Sequence, residues 1–408
     1  MNPADDLIRY VSRPDGAFHW ERRGGERSAQ ASLITLHLAS QVWQGVRWEH
    51  RLQIVVPDNL THPETALLYV TGDGTSSEIM MGLALAQATG TLCALLYNVP
   101  NQPLFDGLAE DALIAHTFVQ FLDTGDADWP LLYPMVKSVV RAMDALQAWS
   151  AEETGTIQRF IVGGASKRGW TSWLTAAAED RVAAIIPMVY DNLNLFAQMP
   201  HQVEVWGDYS EQISDYTEYD LPNKMNSERG HYLTLAVDPY TFRDRLTLPK
   251  LLVNGANDRY WATDALNLYW HDLPGPKWAL YVPNSGHHLE DYTRVFNTMS
   301  AFLRAMAAGQ ALPSADWQFA SSGRTVGLTL TADTAALEAR LWAAHSATRD
   351  FRNAPWNAVF LRPEADGTRF TGAVEKPASG HIAVFGEIAF EGPGQPFTLS
   401  TQPHISHP

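Results

Sequence analysis

The stretch that most constrains this chain is 157–170. A short β-branched run from Ile157 to Val162 ends in Gly163 and Gly164. Ser166 follows, and a helix-forming segment continues through Trp170, Trp173, Leu174 and Ala176 to Ala178. This reads as a strand, a sharp turn and a helix, with a serine at the apex. Such a turn lifts a hydroxyl clear of a sheet and aims the next backbone N–H groups at whatever the hydroxyl attacks. The spacing departs from the usual G-x-S-x-G: Gly164 stands two before Ser166, Arg168 stands two after it, and the glycine arrives late as Gly169. A small residue at that second position normally lets helix and strand approach closely. Arg168 must therefore point away from the sheet or displace the first helical turn. Gly and Ser are also common in ordinary βα turns, where they cap helices and allow positive φ. The surroundings have to decide.

Two alternating runs, 32–38 and 50–56, open the chain as an antiparallel hairpin. From Thr65 the apolar runs 66–71, 91–97, 157–163, 183–189, 249–254 and 278–282 alternate with helical stretches at 109–122, 134–149, 168–179 and 289–307. Short apolar strands separated by helices imply a parallel sheet covered on both faces. Two regions break the rhythm. The segment 193–246 carries Trp206, Tyr209, Tyr216 and Tyr219 among the acids Glu204, Asp208, Glu211 and Asp215. An insertion of that length inside a domain is usually functional, and it reads as a helical lid. Its acids and aromatics suggest an extended, cationic substrate. Beyond Gln310-Ala311-Leu312-Pro313 helices vanish, and strands are expected at 326–332, 338–344, 358–361, 367–373 and 381–389. That predicts a main domain over 1–311 and a small all-β, sandwich-like unit over 312–408 that packs on it.

A serine hydroxyl needs a base, and the base needs an orienting carboxylate. After the strand 249–254 comes Asp258; after the strand 278–282 comes Gly286-His287-His288. The chain order Ser, Asp, His, each after a core strand, is that of an α/β-hydrolase. Asp264 competes with Asp258 but stands where the next helix should begin, which suits a cap. His288 competes with His287. The oxyanion would be held by the N–H of Lys167 and by one from Gly72-Asp73-Gly74, a glycine-rich loop after the strand 66–71. The Lys167 ammonium has two readings, a further contact to the oxyanion or a solvated surface charge.

The formal net charge of −16 argues against nucleic acid or an anionic membrane as partner. No apolar run approaches a membrane span. The one cysteine, Cys93, lies in an apolar run and reads as a buried inert thiol, so no internal disulfide is expected. His287 and His288 are adjacent, with no further cluster that would converge on an ion, so neither metal nor cofactor is expected. The first residues, 1–6, lack a basic region and an apolar core. This fits a cytoplasmic chain, or the mature form of a periplasmic or secreted one.

Several stretches resemble the PhoPQ-activated pathogenicity-related proteins: Gly164 to Trp170, Asp128 to Lys137, Asn254 to Asp258 with Leu266 to Trp270, and Leu273 to Lys277 with Tyr281 to Asn284. The resemblance covers most of 60–310, and the β-rich tail is similar too. It implies an α/β-hydrolase with a Ser-Asp-His triad at Ser166, Asp258 and His287, in a family associated with envelope stress and often exported. The turn Ser166-Lys167-Arg168-Gly169 is similar to the family's own. A fainter echo of glucuronoyl esterases implies an esterase acting on acidic sugars. The expected activity is a metal-free serine hydrolase cleaving an ester or amide of a small molecule or peptide. A non-catalytic peptide- or glycan-binding protein is the competing class.

Overall fold

Three antiparallel strands open the sheet: β1 (His19–Arg27), β2 (Ala31–Trp43) and β3 (Val46–Pro57). The computed structural model describes residues 3–392 and 394–407. Six more strands follow: β4 (His62–Val70), β5 (Thr91–Leu96), β6 (Arg159–Ala165), β7 (Val182–Met188), β8 (Lys250–Gly255) and β9 (Lys277–Val282). Their spatial order is β1-β2-β3-β5-β4-β6-β7-β8-β9. β3 runs antiparallel to β5, and every pairing from β5 to β9 is parallel. β5 and β8 are buried at every position, Cys93 included, as helix cover on both faces requires. Helices Ser76–Thr89 and Tyr292–Ala307 pack together on one face, and Leu132–Glu153 and Lys167–Ala178 on the other. This is the α/β-hydrolase fold.

The exchange of β4 and β5 positions the site. From β4 the chain crosses to β5 on one side, then returns to β6 on the other. The loops after β4 and β6 part in opposite directions and leave a crevice at the carboxyl ends of the strands. They start side by side, because Val70 pairs with Gly164.

Periodicity finds four of the helices but not Ser76–Thr89. That helix is apolar nearly all round, through Met80, Met81, Leu83 and Leu85, so no polar face sets it off. Its signal lies in its cap: Thr75 and Glu78 form a capping box. The insertion 193–246 is helical, built on Leu195–Trp206, Ser214–Thr217, Leu221–Lys224 and Glu228–Val237.

After Ala307 the chain is all β: β10 (Ala315–Ser322), β11 (Thr325–Ala332), β12 (Glu338–Ser346), β13 (Asn357–Phe360), β14 (Arg362–Pro363), β15 (Arg369–Glu375), β16 (His381–Phe390), β17 (Phe397–Ser400) and β18 (His404–Ser406). Several of these strands join the main sheet. β17, β16, β12 and β13 continue the hydrolase sheet past β9, with β18 on β16. β9 would otherwise present an open edge; Ser400 pairs with Ala279, and its Oγ accepts the Tyr281 N–H at 3.0 Å. The order β10-β11-β15-β14 forms a second sheet. It packs on β16 so tightly that a Cβ at Gly386 would meet Leu328 Cδ2 at 2.6 Å. The arrangement is sandwich-like, with one layer shared with the main sheet.

Candidate active site

Ser166 sits between β6 and its helix at φ 57° and ψ −126°. A residue with a side chain occupies that region only under constraint, at a cost of about 1–3 kcal/mol. Here the Ser166 N–H donates to Met188 O at 2.8 Å, and the Trp170 N–H to Ser166 O at 3.0 Å. The two glycines make the turn fit. A Cβ at Gly164 would lie 2.8 Å from the Cβ of Arg168, and one at Gly169 would lie 3.0 Å from Met188 O. Gly169 thus allows the close contact with β7 that a small residue one position earlier would otherwise serve. Arg168 leaves that contact, donating to both Glu110 carboxylate oxygens at 2.7 Å and to Val99 O at 2.6 Å.

Asp258 follows β8 and His287 follows β9. His287 Nδ1 lies 2.8 Å from Asp258 Oδ2, and Asp258 is nearly fully buried. The other carboxylate oxygen accepts the Tyr260 N–H at 2.9 Å, and the Tyr260 ring lies against the imidazole, centroids 4.2 Å apart. His287 Nε2 is buried without a hydrogen-bond partner among the described residues. It makes no hydrogen bond to Ser166 Oγ. His288 is exposed. Asp264, the competing carboxylate, makes no side-chain cap bond. It pairs instead with His201 Nε2 at 2.7 Å and with Arg349 at 3.0 Å.

The N–H of Lys167 heads its helix, where no intrahelical acceptor exists. Like those of Gly72 and Asp73, it donates to no backbone carbonyl among the described residues. Gly72 is fixed from behind: its carbonyl accepts from Asn98 at 2.7 Å, and a Cβ on it would meet the Arg168 guanidinium at 2.6 Å. The Lys167 side chain follows neither expectation. It is buried, with Nζ 2.8 Å from Glu110 and 3.3 Å from Asp111. Burial works to raise the Glu110 pKa, but Arg168 and Lys167 outweigh it and hold the carboxyl well below the usual carboxylate range. The Tyr216 hydroxyl donates to Asp111 at 3.0 Å, tying the insertion to this cluster.

Beside Ser166 lies a cavity of about 110 Å³. The helix Glu110–Thr124 supplies Phe118 to its wall, and the insertion supplies Met199, Ile213, Leu221, Leu233 and Val237. The acids of the insertion divide. Glu204 pairs with Arg349, and Glu211 with Arg259 and Arg352. Asp215 has no ion pair among the described residues, and burial and the nearby Asp111 push its pKa up.

The C-terminal part holds the site together in a way the sequence does not announce. Asn257 Nδ2 donates to Phe351 O at 3.0 Å and to Ala354 O at 2.8 Å. Asn284 brackets Trp356, donating to its carbonyl at 2.9 Å and accepting its N–H at 2.7 Å. One segment, 351–356, thus grips the loop of Asp258 and the loop of His287.

The family model described as PhoPQ-activated pathogenicity-related protein matches residues 7–352. Autocrine proliferation repressor protein A of Dictyostelium discoideum is 28% identical over 428 residues, spanning 95% of this chain and 86% of that protein. Among solved structures, an acetyl xylan esterase from Paenibacillus sp. R4 aligns with a TM-score of 0.49 at 15% identity, over 72% of this chain and 92% of that one. A glucuronoyl esterase from Solibacter usitatus aligns with a TM-score of 0.41 at 13% identity, over 65% and 76%.

Proposed function

The chain belongs to the PhoPQ-activated pathogenicity-related protein family, and from that premise we propose that it is a serine hydrolase that cleaves an ester or amide through an acyl-enzyme. One observation carries the reading. Ser166 is held at a strained strand-to-helix apex, and His287, oriented through Nδ1 by buried Asp258, keeps Nε2 without a partner among the described residues. Ser166 Oγ attacks the carbonyl while His287 Nε2 takes its proton. Asp258 fixes the tautomer and stabilises the imidazolium. The N–H groups of Lys167 and of Gly72 or Asp73 receive the developing oxyanion. The tetrahedral intermediate collapses as His287 protonates the leaving group, and water repeats the sequence on the acyl-enzyme. The Ser166–His287 hydrogen bond, absent here, commonly tightens only with substrate bound. Neither the Lys167 ammonium nor the Arg168 guanidinium enters these steps, because Glu110 and Asp111 engage both.

The insertion 193–246 acts as a lid, since it supplies most of the wall beside Ser166. A carbohydrate esterase of the glucuronoyl kind is the second reading: the wall is mostly apolar, but Tyr190 Oη and Asn192 Oδ1 on it are buried without a partner among the described residues, as acceptors for sugar hydroxyls would be. The test is the intact mass of protein quenched during turnover of p-nitrophenyl butyrate. An acyl adduct present in wild type and absent in Ser166→Ala is expected. Ordinary turnover by Ser166→Ala would sink the proposal. A folded wild type that neither turns over nor acquires an adduct would favour a non-catalytic binding protein.

A further inference from the structure

The hydrolase reading leaves the acyl group unspecified, and the cavity beside Ser166 narrows it. Its wall is mostly apolar, with Phe118, Trp170, Met199, Leu221, Leu233 and Val237, and it also carries Asn192, Lys224 and Thr234. Most of these side chains come from two directions, the helix Glu110–Thr124 and the helices of the insertion. Such a wall gains free energy by taking apolar surface out of water. It charges a penalty for any polar substituent left without a partner.

Glu110 and Asp111 carry two negative charges, and Lys167 and Arg168 carry two positive ones, all joined by contacts of 2.7 to 3.3 Å. Two charged groups stand outside this cluster: Lys224 on the cavity wall, whose Nζ donates to Tyr219 O at 2.8 Å, and Asp215, near Asp111 and Lys167. At about 110 Å³ the cavity has room for more than a methyl group.

Resting on the serine-hydrolase reading, we propose that this cavity is the acyl site and that it selects an apolar, aliphatic acyl group over acetyl.

The test is a series of p-nitrophenyl esters from acetate to decanoate, with leucine p-nitroanilide as the aminoacyl probe. Each methylene that enters the cavity should raise kcat/KM about fourfold, from acetate to butyrate and on to the length that fills it. Leu233→Trp, which fills the cavity, should lower the butyrate-to-acetate ratio at least tenfold. Leu233→Ala, which enlarges it, should move the optimum to a longer chain. The ratio does not depend on the folded fraction, so a poorly folding variant still reports. A flat or falling profile in wild type whose Ser166 carries an acyl adduct would overturn the acyl-site inference and leave the hydrolase reading intact. So would a preference for leucine p-nitroanilide. No adduct and no turnover with any ester would overturn both.

Discussion

Two carboxylate–histidine pairs grow from the same loop after β8, and they are chemically alike. Asp258 meets His287 at 2.8 Å, and Asp264 meets His201 at 2.7 Å. Both carboxylates are shielded from solvent. The difference lies in what else each pair touches. Asp264 gives its second oxygen to Arg349, and His201 Nδ1 lies 3.9 Å from Glu204. That pair is closed on itself and fastens the insertion to the C-terminal strands. Asp258 gives its second oxygen to a backbone N–H, and His287 Nε2 has no hydrogen-bond partner among the described residues. A histidine held through one nitrogen with the other left open is what a general base requires. Proximity of the two residue types marks a pair; the open nitrogen is the ground on which Asp258–His287 is proposed as the catalytic one.

The sharpest way to break this comparison is to remove each histidine. His287→Ala should lower kcat by roughly 10⁵- to 10⁶-fold, as Ser166→Ala should, because the pair acts as a unit. His201→Ala should leave kcat within about twofold. Steady-state kinetics on freshly folded protein reads both.

The carboxylates should separate in a second way. Asp258→Asn should cost roughly 10⁴-fold in kcat through the wrong tautomer. Asp264→Asn should change kcat less than threefold yet lower stability by roughly 1–3 kcal/mol, read by urea unfolding. The pH dependence follows from the same pair. Burial pushes Asp264 up, but the hydrogen bond and charge of His201, with Arg349, outweigh it and hold the carboxyl below its usual value. A depressed folded-state pKa gives stability that is present above the unfolded value, near 4, and lost as pH falls through the folded one. Wild type should therefore lose more stability than Asp264→Asn on acidification below about pH 4.

Smaller effects test the brace. Asn284→Ala and Asn257→Ala release the two loops from 351–356 without touching the reacting groups. Each should lower kcat by about 10- to 100-fold through misplacement, with little change in the apparent pKa values of the rate profile. The smallest effect concerns strain alone. Ser166→Gly should be more stable than Ser166→Ala by about 1 kcal/mol, because glycine tolerates the positive φ that alanine does not.

Much of this was legible in the residues. The strand run ending at Gly164, and the order Ser166, Asp258, His287 after three apolar runs, needed only local pattern. Choosing between Asp258 and Asp264 did not. It depends on Arg349 and His201, which are far away in the chain and brought near only by the fold. The same holds for Lys167, whose buried ion pairs depend on where the helix Glu110–Thr124 lands. The shared sheet beyond β9 was hidden for a different reason. β17 and β18 are too short to show a period, and strand pairing across more than a hundred residues leaves no local mark. Asn257 and Asn284 look like turn residues and act as clamps.

The measurement that tests the account most directly is the rate of fluorophosphonate labelling of wild type, His287→Ala and His201→Ala, read by intact mass with the adduct mapped to its residue. The account predicts a single adduct on Ser166, a rate for His201→Ala close to wild type, and a fall of at least about a thousandfold for His287→Ala. Equal labelling of His287→Ala and wild type, or loss of labelling in a well-folded His201→Ala, would contradict it.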